Sequence, residues 1–150
     1  MKMKRILFNS RTPEWAFLSN FYHAPFELGG KKYPTVEHYY QSRKTLNPHY
    51  AEKIISAPTP ALARKLGRKC PLRPDWERIK VKVMEDAVRA KFTQNPHLKE
   101  KLLATGDAEL VEFSSWDRFW GVDRNGRGQN QLGKILMKIR EELRESKKSK

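Results

Sequence analysis

Between Asp75 and about Thr93, Trp76, Ile79, Val83, Ala87 and Ala90 recur at intervals of three and four residues. That spacing lines one side of a helix with apolar side chains and leaves the other side charged. A long helix with one such stripe has to bury it, so the chain is committed to a packed core. At 150 residues, with 38% hydrophobic residues and four Trp, the material suffices for one core and not comfortably for two.

The other segments are short. Arg5–Phe8 reads as a first strand, and Phe26-Glu27-Leu28, Gly29-Gly30, Lys31-Lys32-Tyr33 as a hairpin whose paired glycines supply the positive φ of a tight turn. A helix from Val36 should end before Pro48, and a second follows through Ile54 and Ile55. Thr59 with Pro60 opens a third, which Gly67 can close. Asn95 with Pro96 opens another, with Gly106 beyond its end. Leu110–Phe113 is strand-like, and Asn130 to Arg144 forms a last helix burying Leu132, Ile135, Leu136, Ile139 and Leu143. No repeat, linker or boundary interrupts the chain. The expectation is a single α+β domain over residues 1–150, mainly helical with a small β component and a frayed basic tail at about 146–150.

The net charge is +14, from 31 basic and 17 acidic residues, distributed as +5, +6 and +3 over successive thirds. A diffuse field of this kind welcomes anionic ligands more clearly than it marks a nucleic-acid groove. Cys70 is the only cysteine and the four histidines lack metal-ligand spacing, so neither a disulfide nor a metal or other cofactor is expected. No apolar run reaches membrane-spanning length and Met-Lys-Met-Lys-Arg precedes no apolar signal region, which predicts a cytoplasmic protein with no membrane partner.

The chemistry concentrates around Tyr33-Pro34-Thr35-Val36-Glu37-His38-Tyr39-Tyr40-Gln41. Thr35 is a good N-cap, and Pro34 keeps the helix from starting earlier. Glu37 then lies in the first turn, where the helix dipole favours a carboxylate, among tyrosines that lower the local dielectric. A carboxylate so placed suits a general base or the stabilisation of positive charge; a first-turn Glu that only complements the dipole is the plainer alternative.

Together with Phe17-Leu18-Ser19-Asn20-Phe21, Lys44, Phe119-Trp120-Gly121 and Gly126-Arg127-Gly128-Gln129-Asn130-Gln131-Leu132-Gly133, this motif resembles the NADAR family. The resemblance runs in order from the first strand to the last helix. It implies N-glycosidase activity of the kind that hydrolyses early riboflavin-biosynthesis intermediates, and it makes Glu37 the catalytic carboxylate. It also implies a second acidic residue at Asp117, before the Trp-Gly pair, where an ion pair with Arg118 or a turn cap competes as an explanation. Asp123 is a weaker alternative.

The substrate-binding candidates follow from residue chemistry and the resemblance together. Trp76 and Trp120 offer faces for a flat base, although Trp76 also belongs to the apolar stripe and core packing accounts for it equally. Gly126 to Asn130 lead into a helix, where backbone amides with Arg124 and Arg127 suit an anion; the same glycines also suit a plain turn. Lys44, seven residues after Glu37, can share its helix face. For Asn20, in a loop between aromatic residues, the resemblance implies ligand contact. His38 is divided between supporting the site and a locally bonded surface imidazole. Arg64, Lys65, Arg68 and Lys69 read as a solvated basic surface.

Three functions follow. The first is hydrolysis of the N-ribosyl bond of phosphoribosylamino-pyrimidines, a metabolite-damage-control activity whose partner is a phosphorylated ribosylamine. The second keeps the chemistry and moves it to ADP-ribosylated guanine in nucleic acid, which the +14 charge would suit. The third is a nucleotide- or nucleic-acid-binding module without catalysis.

Overall fold

The short elements form where their local signals fall. A computed structural model describes residues 4–148 and divides them into two compact units, one from His23 to Gln94 and one from the residues on either side of it. Among the described residues, six helices outweigh four short strands in two small sheets, an α+β architecture that is mainly helical.

The His23–Gln94 unit begins with an antiparallel hairpin of β2 (Phe26–Leu28) and β3 (Lys31–Tyr33), the second and third strands of the chain, with Phe26 opposite Tyr33 and Leu28 opposite Lys31. Gly29 and Gly30 take φ of +59° and +81°, the conformation the turn requires. Helices α1 (Val36–Ser42), α2 (Pro48–Ile55) and α3 (Pro60–Lys69) start alike: the side-chain oxygens of Thr35, Asn47 and Thr59 accept from the amides of His38, Tyr50 and Leu62. Ile54, Ala57 and Ala63 form a small core between α2 and α3. Helix α4 (Trp76–Gln94) buries the expected Trp76, Val83, Ala87 and Ala90 and adds Met84, Val88, Lys91 and Phe92.

Gly67 does not close α3. It lies inside the helix, because a Cβ there would overlap the Gln41 carboxamide of α1. The glycine allows the two helices to approach, and this contact sets the position of Gln41.

In the other unit, β1 (Arg5–Phe8) pairs in parallel with β4 (Glu109–Glu112), Arg5 opposite Glu109 and Phe8 opposite Glu112. A single 3-10 turn covers Ala16–Leu18 and helix α5 covers Pro96–Ala104. Helix α6 (Gln131–Lys148) buries Leu132, Ile135, Leu136, Ile139 and Leu143 as expected. The frayed basic tail is corrected over most of its span. The helix runs on to Lys148, with Lys147 paired to Glu100 at 3.2 Å, while residues 149 and 150 lie outside the described residues. Among the described residues no helix is long and apolar enough to cross a membrane.

Candidate active site

Thr35 fixes the start of α1 and so places Glu37 in its first turn. The Glu37 side chain is 3% exposed, yet its carboxylate is well supplied with donors. Gln41, one helical turn on, donates from Nε2 to Oε2 at 2.7 Å. Arg64 of α3 donates from Nε to Oε2 at 3.1 Å and from Nη2 to Oε1 at 3.4 Å. Burying a carboxylate is costly without such partners, and Gln41 and Arg64 offset that cost. Arg64 is therefore not part of a solvated surface, and that expectation is corrected.

Lys44 follows the end of α1, half-buried, with Nζ 5.7 Å from the centre of the Tyr40 ring. Burial lowers its affinity for a proton, while the nearby Glu37 charge works in the opposite direction. Trp76 is buried edge-on against Tyr40, with ring centres 5.0 Å apart. In this structure Trp76 packs the helix that carries Glu37.

His38 is 1% exposed, which corrects the surface-imidazole expectation. Its Nε2 lies 2.9 Å from the Ala57 carbonyl and its Nδ1 2.8 Å from the Thr35 hydroxyl. The carbonyl can only accept, so Nε2 carries the proton and Nδ1 accepts from Thr35. Burial lowers its basicity, leaving a neutral ring that anchors α1.

Asn20, Asp117, Trp120, Arg124, Arg127 and Asn130 belong to the other unit. Asn20 is buried directly after the 3-10 turn, beside Ser19, whose hydroxyl accepts from the Phe21 amide. Asp117 uses Oδ1 to accept from the amides of Phe119 at 2.9 Å and Trp120 at 2.8 Å, the turn-capping geometry that competes with catalysis. Asp123 is tied down likewise. Hydrogen bonds from the Arg127 and Asn125 amides, with the Arg118 guanidinium 2.9 Å away, hold its carboxyl below the usual carboxylate range. Trp120 is half-buried with its ring edge-on to Phe119 at 4.8 Å.

The amides leading into α6 are already occupied. Those of Gln129, Asn130, Gln131 and Leu132 donate to the carbonyls of Arg118, Gly121, Phe119 and Trp120. An anion expected at this helix start would find these donors satisfied. Arg124 and Arg127 are exposed. Asn130 holds φ +50°, donates from Nδ2 to the Leu110 carbonyl at 2.9 Å and accepts at Oδ1 from the Glu112 amide at 3.0 Å. Both ends of its carboxamide complete the edge of β4. Gly121 has a packing role as well: a Cβ there would sit 2.6 Å from the Glu112 carbonyl oxygen.

Sequence reasoning thus found Glu37, Lys44 and Trp76 in one neighbourhood and missed Gln41 and Arg64. The interval of four between Glu37 and Gln41 was a usable signal. Nothing local marks Arg64, whose contact spans 27 residues. A cleft of about 800 Å³ elsewhere in the same unit, lined by Tyr33, Tyr39, Arg43, Leu46, Arg73 and Arg89 among others, does not include Glu37. Among the described residues no cluster of His, Cys, Asp and Glu could hold a metal ion.

Comparison with known proteins bears on this geometry. The sequence model of the NADAR domain matches residues 7–144. The chain is 44% identical over 140 residues to N-glycosidase YbiA of Shigella boydii, covering 92% of this chain and 88% of that one. It is 47% identical over 131 residues to a riboflavin biosynthesis protein of Vibrio vulnificus, covering 86% of this chain and 36% of that protein. The NMR structure of the Escherichia coli protein YbiA superimposes with a TM-score of 0.89 at 42% identity, covering 98% of this chain and 89% of that one. Agreement of this extent, in sequence and in backbone, makes the protein a member of the NADAR family.

Proposed function

We propose that this N-glycosidase hydrolyses the N-ribosyl bond of phosphoribosylamino-pyrimidines, with Glu37 as its catalytic carboxylate. The observation that carries the proposal is a buried carboxylate held by Gln41 and Arg64. The names of relatives, N-glycosidase and riboflavin biosynthesis protein, support an N-glycosidic bond and a substrate from riboflavin biosynthesis.

In the reaction the bond between the anomeric carbon and the amine nitrogen breaks and its electron pair leaves with the nitrogen, which takes up a proton. Positive charge grows on the anomeric carbon and ring oxygen, and a nearby carboxylate stabilises that charge more than the neutral ground state. Water attacks the anomeric carbon and gives its proton to Glu37, which releases it to solvent in place of the proton the nitrogen took up, so one carboxylate serves the cation and the nucleophile in turn. The products are ribose 5-phosphate and the free aminopyrimidine. Lys44 supplies a cation for the phosphate from the Glu37 neighbourhood.

The net charge of +14 favours one second substrate, an ADP-ribosylated base in nucleic acid. A product assay separates the two. Ribose 5-phosphate released from 5-amino-6-(5-phosphoribosylamino)uracil supports the riboflavin intermediate. Release of ADP-ribose from ADP-ribosylated DNA, with a steep salt dependence and no ribose 5-phosphate from the first substrate, transfers the activity to nucleic acid.

A further inference from the structure

The donors on Glu37 suit storage of the charge better than its use. A guanidinium spread over both oxygens cancels the negative charge that a ribosyl cation needs beside it, and it competes for the lone pair that would receive the proton of water. The donors differ in how firmly they are held. Gln41 is 4% exposed, its bond to Oε2 is 2.7 Å long, and its carboxamide is pressed against Gly67 of α3. The Arg64 side chain is 32% exposed, and its reach to Oε1 is 3.4 Å. One donor is built in and the other can be withdrawn.

A phosphate is the group best suited to withdraw it. Glu37 offers Arg64 a single charge already shared with Gln41, whereas a phosphate monoester offers nearly two charges and three acceptor oxygens in a geometry that matches the guanidinium fork. The surroundings favour the exchange. Lys44 and Arg68 lie close enough for their charges to be felt together with those of Glu37 and Arg64, and the half-buried Lys44 gains from an arriving anion.

We infer that Arg64 is a phosphate-operated latch: the substrate's phosphate draws the guanidinium off both Glu37 oxygens, 3.1 Å from Oε2 and 3.4 Å from Oε1, and leaves the carboxylate anchored through Gln41 and free to act. The inference rests on the N-glycosidase reading above and deepens it. Phosphorylated N-ribosides are selected in the rate of the bound complex as well as in affinity, because the phosphate both binds and uncovers the base. Arg64 thereby becomes the residue that sets specificity for phosphorylated substrates.

The test compares one ribosylamino-pyrimidine with and without its 5′-phosphate, adding inorganic phosphite to the second at constant ionic strength. For the wild-type protein the phosphorylated form should show a kcat about tenfold higher or more, and phosphite should accelerate the unphosphorylated form. In Arg64→Gln the phosphite activation should vanish, the ratio of the two kcat values should fall toward one, and the unphosphorylated form should turn over severalfold faster than in wild type. Arg64→Lys, which keeps the charge without the fork, should retain part of the activation. Equal loss on both substrates in Arg64→Gln with phosphite still activating, or no phosphite activation in the wild type, overturns the latch while leaving the N-glycosidase reading intact. No turnover of either form by the wild type overturns the substrate reading and the latch together.

Discussion

Two groups of polar residues carry most of the chemistry in this chain, and they are bonded in opposite ways. Around Glu37, side chains satisfy side chains: Gln41 and Arg64 hold the carboxylate, and the guanidinium stays a third exposed. In the loop from Asp117 to Asn130, side chains satisfy backbone. Asp117 caps the amides of Phe119 and Trp120, Asp123 those of Asn125 and Arg127, and Asn130 bonds both a carbonyl and an amide of β4. A side chain consumed by the backbone cannot be released without unmaking the fold, whereas one held by a partly exposed partner can change partners when a ligand arrives. The first arrangement suits catalysis and the second suits a scaffold.

The largest effect that could break this contrast is at Asn130. Asn130→Ala leaves a buried carbonyl and a buried amide of β4 without partners and should cost about 2–4 kcal/mol in urea unfolding. Turnover per folded molecule should hardly change; a large loss of turnover at full stability would return Asn130 to the substrate. Gly67→Ala comes next. Its methyl group displaces the Gln41 carboxamide, so turnover should fall about tenfold through the misplaced Glu37. Stability should stay within about 1 kcal/mol, since alanine is the better helix former. Asp117→Asn keeps the oxygen that caps the turn and should leave kcat within about threefold of wild type, well short of the loss expected for a general base. A hundredfold fall there would make Asp117 catalytic.

The smallest effect is one of pH. Folding lowers the basicity of His38 from its ordinary 6.5, so the unfolded chain binds more protons as the pH falls below that value. His38 therefore reduces stability progressively from about pH 6.5 down through its lowered pKa, and leaves it unaffected above. Stability should fall more steeply with decreasing pH in the wild type than in His38→Gln below about pH 6.5, and the two slopes should coincide above it; equal slopes below that pH would show that the buried ring is not the group responsible.

What could be read in advance was local. The Gly-Gly hairpin, the caps at Thr35 and Thr59 and the apolar stripe of α4 depend on residues a few positions apart, and each formed where those residues dictate. Glu37 was legible for the same reason, since its place follows from the cap two residues before it. The parallel pairing of β1 with β4 joins segments about a hundred residues apart, and neither strand carries a mark of its partner. Arg64 escaped notice likewise, and Asn130 was named only as a substrate contact. Their roles come from tertiary contacts 27 and 20 residues distant, while their local sequence suggests a basic surface and a helix start. Gly67 was misread because a glycine near a helix end signals a stop, and only the facing Gln41 reveals a packing role.

The most direct test is the release of ribose 5-phosphate from 5-amino-6-(5-phosphoribosylamino)uracil by wild type and Glu37→Gln in chelator-treated buffer. Glu37→Gln should lose roughly a hundredfold or more in turnover while its circular dichroism matches that of the wild type. Release by a folded Glu37→Gln at the wild-type rate would contradict the assignment of catalysis to this carboxylate.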